Sequence, residues 1–222
     1  MALKSQNLFK AMLMSNSPNS IPNTTIRCAW LNLTKSDYVQ YHDEEWGVPV
    51  FDDRYLFECL CLEASQAGLS WYTVLVKREA YRQAFDNFDP LKVAQYDTAK
   101  IDTLMTNAGL IRHRGKFEAL INNARHFLAI QNEFGSFARY LWAFVGNKPE
   151  QREIHAPADY RSTSPESEAL AKDLKRRGFK FLGATTCYAY MQAVGLVNDH
   201  QWDCHCRERI QRLGENGMPS LG

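Results

Sequence analysis

Cys28 and His42 stand near one end of the chain, and His200 and Cys204 near the other, as two short pairs of metal-ligand residues with the whole middle of the protein between them. Any fold that uses both pairs must bring its ends together. Zinc in a structural site takes a closed tetrahedron of Cys and His, so a Cys-x13-His edge and a His-x3-Cys edge complete one site. Binding of such an ion is coupled to folding, with apparent energies of about 10–16 kcal/mol in small zinc peptides. The spacing reads as a zinc clasp. The alternative is two ordinary buried cysteines and two unrelated histidines. In the second pair Cys204 is favoured because i and i+4 lie on one side of a helical turn or tight loop, while His205 and Cys206 crowd it as alternative donors.

At 222 residues and 45% hydrophobic content, the chain can bury a sizeable core as one domain or two closely packed lobes. No apolar run approaches the length that spans a bilayer, so no membrane partner is expected. Met1 to Met14 is interrupted by Lys4, Gln6, Asn7 and Lys10, unlike the apolar core of a signal peptide. Six cysteines in a chain this size do not resemble a secreted disulfide scaffold, and thiolate ligands need reducing conditions. The expectation is a cytoplasmic protein. With a formal net charge of only +1, affinity for nucleic acid has to come from local basic clusters.

Residues 15–25 are polar and contain Pro18 and Pro22, so residues 1–25 read as a flexible N-terminal extension. Residues 26–208 form a single domain, and 209–222 a C-terminal tail. Within the domain the pattern is helical and the fold class all-α, because no segment sustains period-two alternation. Asp52 or Asp53 caps a helix to about Ala67, Ser70 caps another to about Phe85, and Asp89-Pro90 opens a short third. Asp97 begins a fourth that Gly109 stops, and Lys116 begins a fifth with Phe117, Leu120, Ile121, Ala124 and Leu128 as its stripe. Ser136 to Val145 is a sixth, and Asn147 to Thr163, with two prolines, reads as a long loop. Ser164-Pro165 starts a helix that Gly178 ends, and Thr185 starts one to about Leu196.

Glu63 is the chemically exposed position of this pattern. At 100° per residue Arg54, Glu58 and Ser65 share a polar stripe of the first long helix, while Glu63 falls on the opposite, apolar face with Leu56, Leu60 and Ala67. An unpaired buried carboxylate costs several kcal/mol or takes up a proton, so it has a partner or a task. A buried Arg or a neighbouring helix end is the bland partner. Trp71 follows shortly after, and Tyr38, Tyr41 and Trp46 lie close to the first metal pair. Rings around one acid describe a pocket for a flat cationic or electron-poor ligand, although any single ring, taken alone, is better read as core packing.

Between the fourth and fifth helices, Asn107 to Lys116 is a helix stop, a tight turn flanked by Gly109 and Gly115, and a helix start. Glycines let backbone approach a ligand, free N–H groups at the next helix start form an anion site, and Arg112, Arg114 and Lys116 add charge. That is the physics of a helix-hairpin-helix clamp on a DNA phosphate, centred on residues 97–130. A turn with a solvated basic face is the alternative. Lys77-Arg78 and Lys175-Arg176-Arg177 could extend a surface that binds the DNA backbone.

The stretches Tyr41 to Pro49, Leu62 to Trp71, Ala108 to Lys116 and Asn198-Asp199-His200, with Lys175 to Phe181 and Tyr188 to Ala193, closely resemble the bacterial 3-methyladenine DNA glycosylase I family, over about Arg27 to Cys206. The resemblance implies a helix-hairpin-helix glycosylase fold in which structural zinc joins the termini through Cys28, His42, His200 and Cys204. It implies Glu63 as the base-recognising catalytic acid, Tyr38, Tyr41, Trp46 and Trp71 as the base pocket, and the Gln66 to Ser70 loop, with Gly68 and Leu69, as the wedge that opens the duplex. His205 stands where the family can carry Cys, which leaves Cys206 open as a ligand. The implied activity is monofunctional excision of 3-methyladenine from double-stranded alkylated DNA by a monomer, leaving an abasic site. No acid other than Glu118 lies in the dozen residues after Gly115, so the implied chemistry relies on leaving-group activation. Two other classes compete. A zinc deaminase is suggested by His42-Asp43-Glu44 but lacks its P-C-x-x-C partner, and a non-catalytic zinc-stabilised DNA-binding module would keep the hairpin and clasp without chemistry.

Overall fold

The structure, a computed structural model, describes residues 25–217, so the extension expected over residues 1–25 lies outside it except for Thr25. The helices are α1 (Ser36–Glu44), α2 (Asp53–Gln66), α3 (Trp71–Leu75), α4 (Arg78–Ala84), α5 (Pro90–Val93), α6 (Thr98–Thr106), α7 (Arg114–Phe134), α8 (Phe137–Trp142), α9 (Pro165–Arg176), α10 (Ala184–Ala193) and α11 (Arg207–Gly214). None of them is long and apolar enough to cross a membrane.

Short polar side chains start most of these helices by accepting an otherwise unpaired backbone N–H. Asp52 accepts from Tyr55 N, Ser70 from Thr73 N, Asp97 from Lys100 N and Ser136 from Arg139 N. Asp53, the other cap left open by the sequence, instead accepts from Phe137 N and Ala138 N at 2.8 Å and so caps α8 across the fold. The helix expected from Ser70 to Phe85 is two, α3 and α4, separated by a turn that sends Lys77 Nζ to the carbonyls of Ala108 and Gly109. α6 stops at Thr106, before Gly109, because the Asn107 side chain takes the Gly109 N–H. α7 starts at Arg114, before Lys116, because His113 Nδ1 accepts from Lys116 N.

The structure is mostly helical, with one exception to the all-α reading. Inside the stretch expected to be a plain loop, β1 (Glu150–Gln151) pairs in parallel with β2 (Val197–Asn198), Glu150 opposite Val197 and Gln151 opposite Asn198. This pair fastens the 147–163 segment beside the C-terminal metal-ligand pair.

Helix α2 runs through the main core, packed against α7, α8 and α10. It is buried without a break from Leu56 to Ser65, so Glu58 and Ser65 of the expected polar stripe lie inside the fold. Both survive burial because they are satisfied: Arg82 donates to Glu58, and Ser65 Oγ donates to Cys61 O. A second, smaller core joins the two ends of the described chain through Cys28, Tyr41, Trp46, Leu75, Cys204, Cys206 and Ile210. Within the stretch expected as a tail from residue 209, α11 continues to Gly214, and Ile210, 1% exposed, anchors in this core. Trp71 packs against both cores and marks the seam between them.

Candidate functional site

Glu63 lies in the last turn of α2, 3% exposed, in no ion pair among the described residues, and with Oε2 lacking any hydrogen-bond partner. Burial pushes its carboxyl up to about 8. It faces a cavity of about 210 Å³ lined by Trp30, Tyr38, Tyr41, Trp46, Gln66, Trp71, Tyr160, Ala189 and Gln192. The structure thus brings the four expected rings and the acid into one place. Tyr38 and Tyr41, three apart on α1, present one helical face, their rings near-parallel at 6.4 Å, and Tyr41 meets Trp71 at 5.4 Å. Trp30 packs edge-on to Trp46 at 4.9 Å. A flat ligand entering here meets aromatic walls on several sides and a carboxyl at the end of α2.

The same α1 carries His42, one residue past Tyr41, onto the far side of the pocket wall. The donor atoms of Cys28, His42, His200 and Cys204 lie within 4.8 Å of one another, and all four residues are buried. Cys28 Sγ is 3.5 Å from His200 Nδ1, Cys204 Sγ 3.4 Å from the same nitrogen and 3.7 Å from His42 Nε2. Bonds of about 2.3 Å to sulfur and about 2.05 Å to nitrogen give a tetrahedron with S···N edges of roughly 3.5 Å, so the cluster has the size of a metal centre. Each histidine is also held from behind, as metal-bound imidazoles are. His42 Nδ1 is 2.8 Å from Asp43 Oδ1, itself gripped by Arg27, and His200 Nε2 is 3.1 Å from Trp46 O. Cys206 belongs to a neighbouring group with His42, Asp43 and His205, its sulfur 3.4 Å from His205 Nε2. Trp46, 4.6 Å from His200 between ring centres, is wall to both the cavity and the metal-ligand cluster.

The hairpin joins α6 to α7 over residues 107–113. A Cβ on Gly109 would lie 2.9 Å from Ala80 Cβ, so only glycine lets the turn sit this close to α4. Arg112 is exposed and has no ion pair among the described residues, whereas Arg114 is paired with Asp102. Gly115 opens α7 over the His113 ring. Lys116 departs from the expected phosphate contact: it is 7% exposed, and its ammonium donates to Ser65 O at 2.9 Å and Ala67 O at 2.8 Å. Those carbonyls end α2, so the lysine braces the loop holding Gly68, at φ +81°, and Leu69, 39% exposed. The two other basic clusters are largely spent on internal pairs, Arg78 with Glu45, and Arg176 and Arg177 with Asp173.

Five lining residues, Trp30, Gln66, Tyr160, Ala189 and Gln192, were absent from the expected pocket. Trp30 and Gln66 sit within two and three residues of Cys28 and Glu63, a signal that proximity could have supplied. Tyr160 carries no such signal, since it arrives through the β1–β2 pairing.

A family model for methyladenine glycosylase matches residues 30–208. The DNA-3-methyladenine glycosylase of Haemophilus influenzae is 50% identical over 183 residues, 82% of this chain and 98% of that protein. A crystal structure of a 3-methyladenine DNA glycosylase I aligns with a TM-score of 0.80 at 49% identity, over 82% of this chain and 100% of that one. A single-site variant of a 3-methyladenine DNA glycosylase I in complex with 3-methyladenine aligns with a TM-score of 0.76 at 42% identity, over 78% of this chain and 93% of that one. On this similarity, whose matched residues 30–208 include the pocket and the hairpin, the chain belongs to the methyladenine glycosylase family.

Proposed function

We propose that this protein is a DNA repair glycosylase that everts 3-methyladenine from alkylated double-stranded DNA and hydrolyses its N-glycosidic bond, leaving an abasic site. The observation that carries this reading is Glu63, a buried carboxyl with no ion pair and an unpartnered oxygen among the described residues, facing an aromatic cavity.

A base cannot be attacked inside the duplex, and flipping costs a few kcal/mol, least where methylation has already spoiled pairing. The hairpin around Gly109, Arg112 and Gly115 holds the phosphates, and Leu69, beside Gly68, fills the gap. Methylation at N3 makes the base cationic in DNA and a good leaving group. Tyr38, Tyr41, Trp46 and Trp71 stack on it, at about 0.5–2 kcal/mol per cation–π contact, and Glu63 accepts a hydrogen bond from the exocyclic amine. An ordinary adenine lacks the charge and is held less well. Glu118, the first acid after the hairpin, is exposed on α7, so the sugar cation has no carboxylate there, and the reaction depends on leaving-group activation and pocket electrostatics. Lys116, occupied by two carbonyls, is not available to form a Schiff base, which supports a monofunctional enzyme.

The ion suited to Cys28, His42, His200 and Cys204 is structural zinc, since a full set of two sulfur and two nitrogen donors leaves no open position for chemistry. Its effect is to tie the two ends of the domain behind Trp46. We place the protein in the cytoplasm as a monomer, where thiolates stay reduced.

Incubation of methylated DNA with the purified protein, followed by chromatography of the released bases, is the test. Free 3-methyladenine is expected from the native protein and not from a Glu63→Gln variant that still binds DNA. Absence of any released base from the native protein would leave a non-catalytic DNA-binding module as the better reading.

A further inference from the structure

Among the described residues three buried side-chain atoms lack a hydrogen-bond partner, Glu63 Oε2, Trp71 Nε1 and Tyr160 OH, and all three residues line the one cavity. Leaving such atoms unpaired is costly, and their convergence describes a missing ligand. A carboxyl that has given up its proton beside a cationic base only accepts, an indole N–H only donates, and a phenol does either. An adenine methylated at N3 and joined to sugar at N9 offers amine hydrogens together with lone pairs on N1 and N7. Glu63 answers the amine and Trp71 one lone pair, which leaves a ring nitrogen for the third group.

We propose that Tyr160 is a base-contacting residue whose hydroxyl donates to a lone-pair ring nitrogen, N1 or N7, of the everted base. The inference rests on the cavity being the base site. The backbone around Tyr160 is fixed on both sides while its polar end is left unpaired. Asp159 accepts from His155 N and Ala156 N at 2.8 and 2.7 Å, Arg152 donates to Asp159 O at 2.9 Å, and Arg161 donates to Tyr188 OH at 3.0 Å and pairs with Glu150. A phenol held rigidly by neighbours that do not touch its hydroxyl is preorganised for a partner that arrives later. The Cys28 thiol also lies close enough to the Tyr160 hydroxyl to interact with it directly, although not in hydrogen-bond geometry, so support of the metal-ligand cluster is the competing role.

The two roles separate in titrations of the intrinsic fluorescence of Trp30, Trp46 and Trp71 with 3-methyladenine and its 1-deaza and 7-deaza analogues. Tyr160→Phe is expected to weaken 3-methyladenine binding about 3- to 10-fold, with thermal midpoint and metal content unchanged. One deaza analogue should bind the native protein more weakly by a similar factor and lose nothing further in the variant. Equal affinity of both proteins for 3-methyladenine, a uniform loss across all three ligands, or loss of metal from the variant overturns the inference, the last by assigning the hydroxyl to Cys28. Should the variant not fold, the native protein alone decides, since tight binding of both deaza analogues rules the contact out. Failure of the native protein to bind 3-methyladenine at all sinks instead the base-site reading beneath it.

Discussion

Lys116 and Ala67 stand 49 residues apart in sequence, yet the lysine ammonium donates to the Ala67 carbonyl at 2.8 Å. The contact joins the second helix of the hairpin to the loop that leaves Glu63 and leads into Trp71, and so ties the hairpin to the pocket. Replacing Lys116 by Met removes two charge-assisted hydrogen bonds, one of them to the carbonyl of buried Ser65, and is expected to cost about 2–3 kcal/mol in denaturant unfolding. The dependence of DNA affinity on salt should keep its slope in this variant. Arg112→Ala, with an exposed charge, should instead lower the slope of log K against log salt by about 1. An equal loss of slope in both variants would show that the ammonium leaves its carbonyls for a phosphate.

The Glu63 carboxyl, raised by burial to about 8 in the folded protein, compares with 4.5 for the ordinary group. The folded state holds this proton where the unfolded chain has lost it, so the contribution is full below pH 4.5 and drains away as pH rises toward 8. Glu63→Gln has no proton to lose. Between pH 5 and pH 8.5 its stability in the absence of ligand should gain on that of the native protein by about 2–5 kcal/mol, read from denaturant midpoints. Parallel pH profiles for the two proteins would contradict the buried, unpaired state of the acid.

One metal ion per chain is expected from elemental analysis, and a strong chelator should remove it together with much of the stability. Even about 5 kcal/mol lost corresponds to a fall of roughly 10–20 °C in the thermal midpoint of a chain this size. Cys204→Ser should lose the ion. Cys206→Ser should keep it, because the Cys206 sulfur lies with His205 and Asp43 outside the four-donor group. Metal retained by the first variant and lost by the second would exchange their roles.

Gly109→Ala places a methyl 2.9 Å from Ala80 Cβ and is expected to destabilise by about 1–3 kcal/mol through overpacking. Adding Ala80→Gly should recover most of that loss. A double variant no more stable than the single one would move the cause from the α4 contact to the turn itself.

The outcome at Asp52 and Asp53 shows where sequence reading stops. Either residue suits a helix cap, and both are caps, but Asp53 serves α8, more than eighty residues away. Glu63 was legible because a carboxyl on an apolar stripe violates a local pattern, and its four rings because they lie close to it or to the first metal pair in sequence. Arg114 and Lys116 looked like equivalent surface cations and are not, since Asp102 pairs with one and the end of α2 absorbs the other. Tyr160 was silent in a proline-containing stretch whose two-residue strand pairing with Val197 and Asn198 leaves no periodic trace.

What the sequence determined by itself is local: helix starts, apolar faces, the hairpin between two glycines, and the donor types of one candidate metal site. These follow from hydrogen bonds and side-chain directions within a few residues, which spacing encodes. The tertiary structure alone decided that Cys28 and His42 meet His200 and Cys204, that Lys116 turns inward, and that Tyr160 reaches the cavity. Those outcomes depend on which surfaces pack together, and close packing is satisfied between residues far apart in the chain, where no periodicity records the partner.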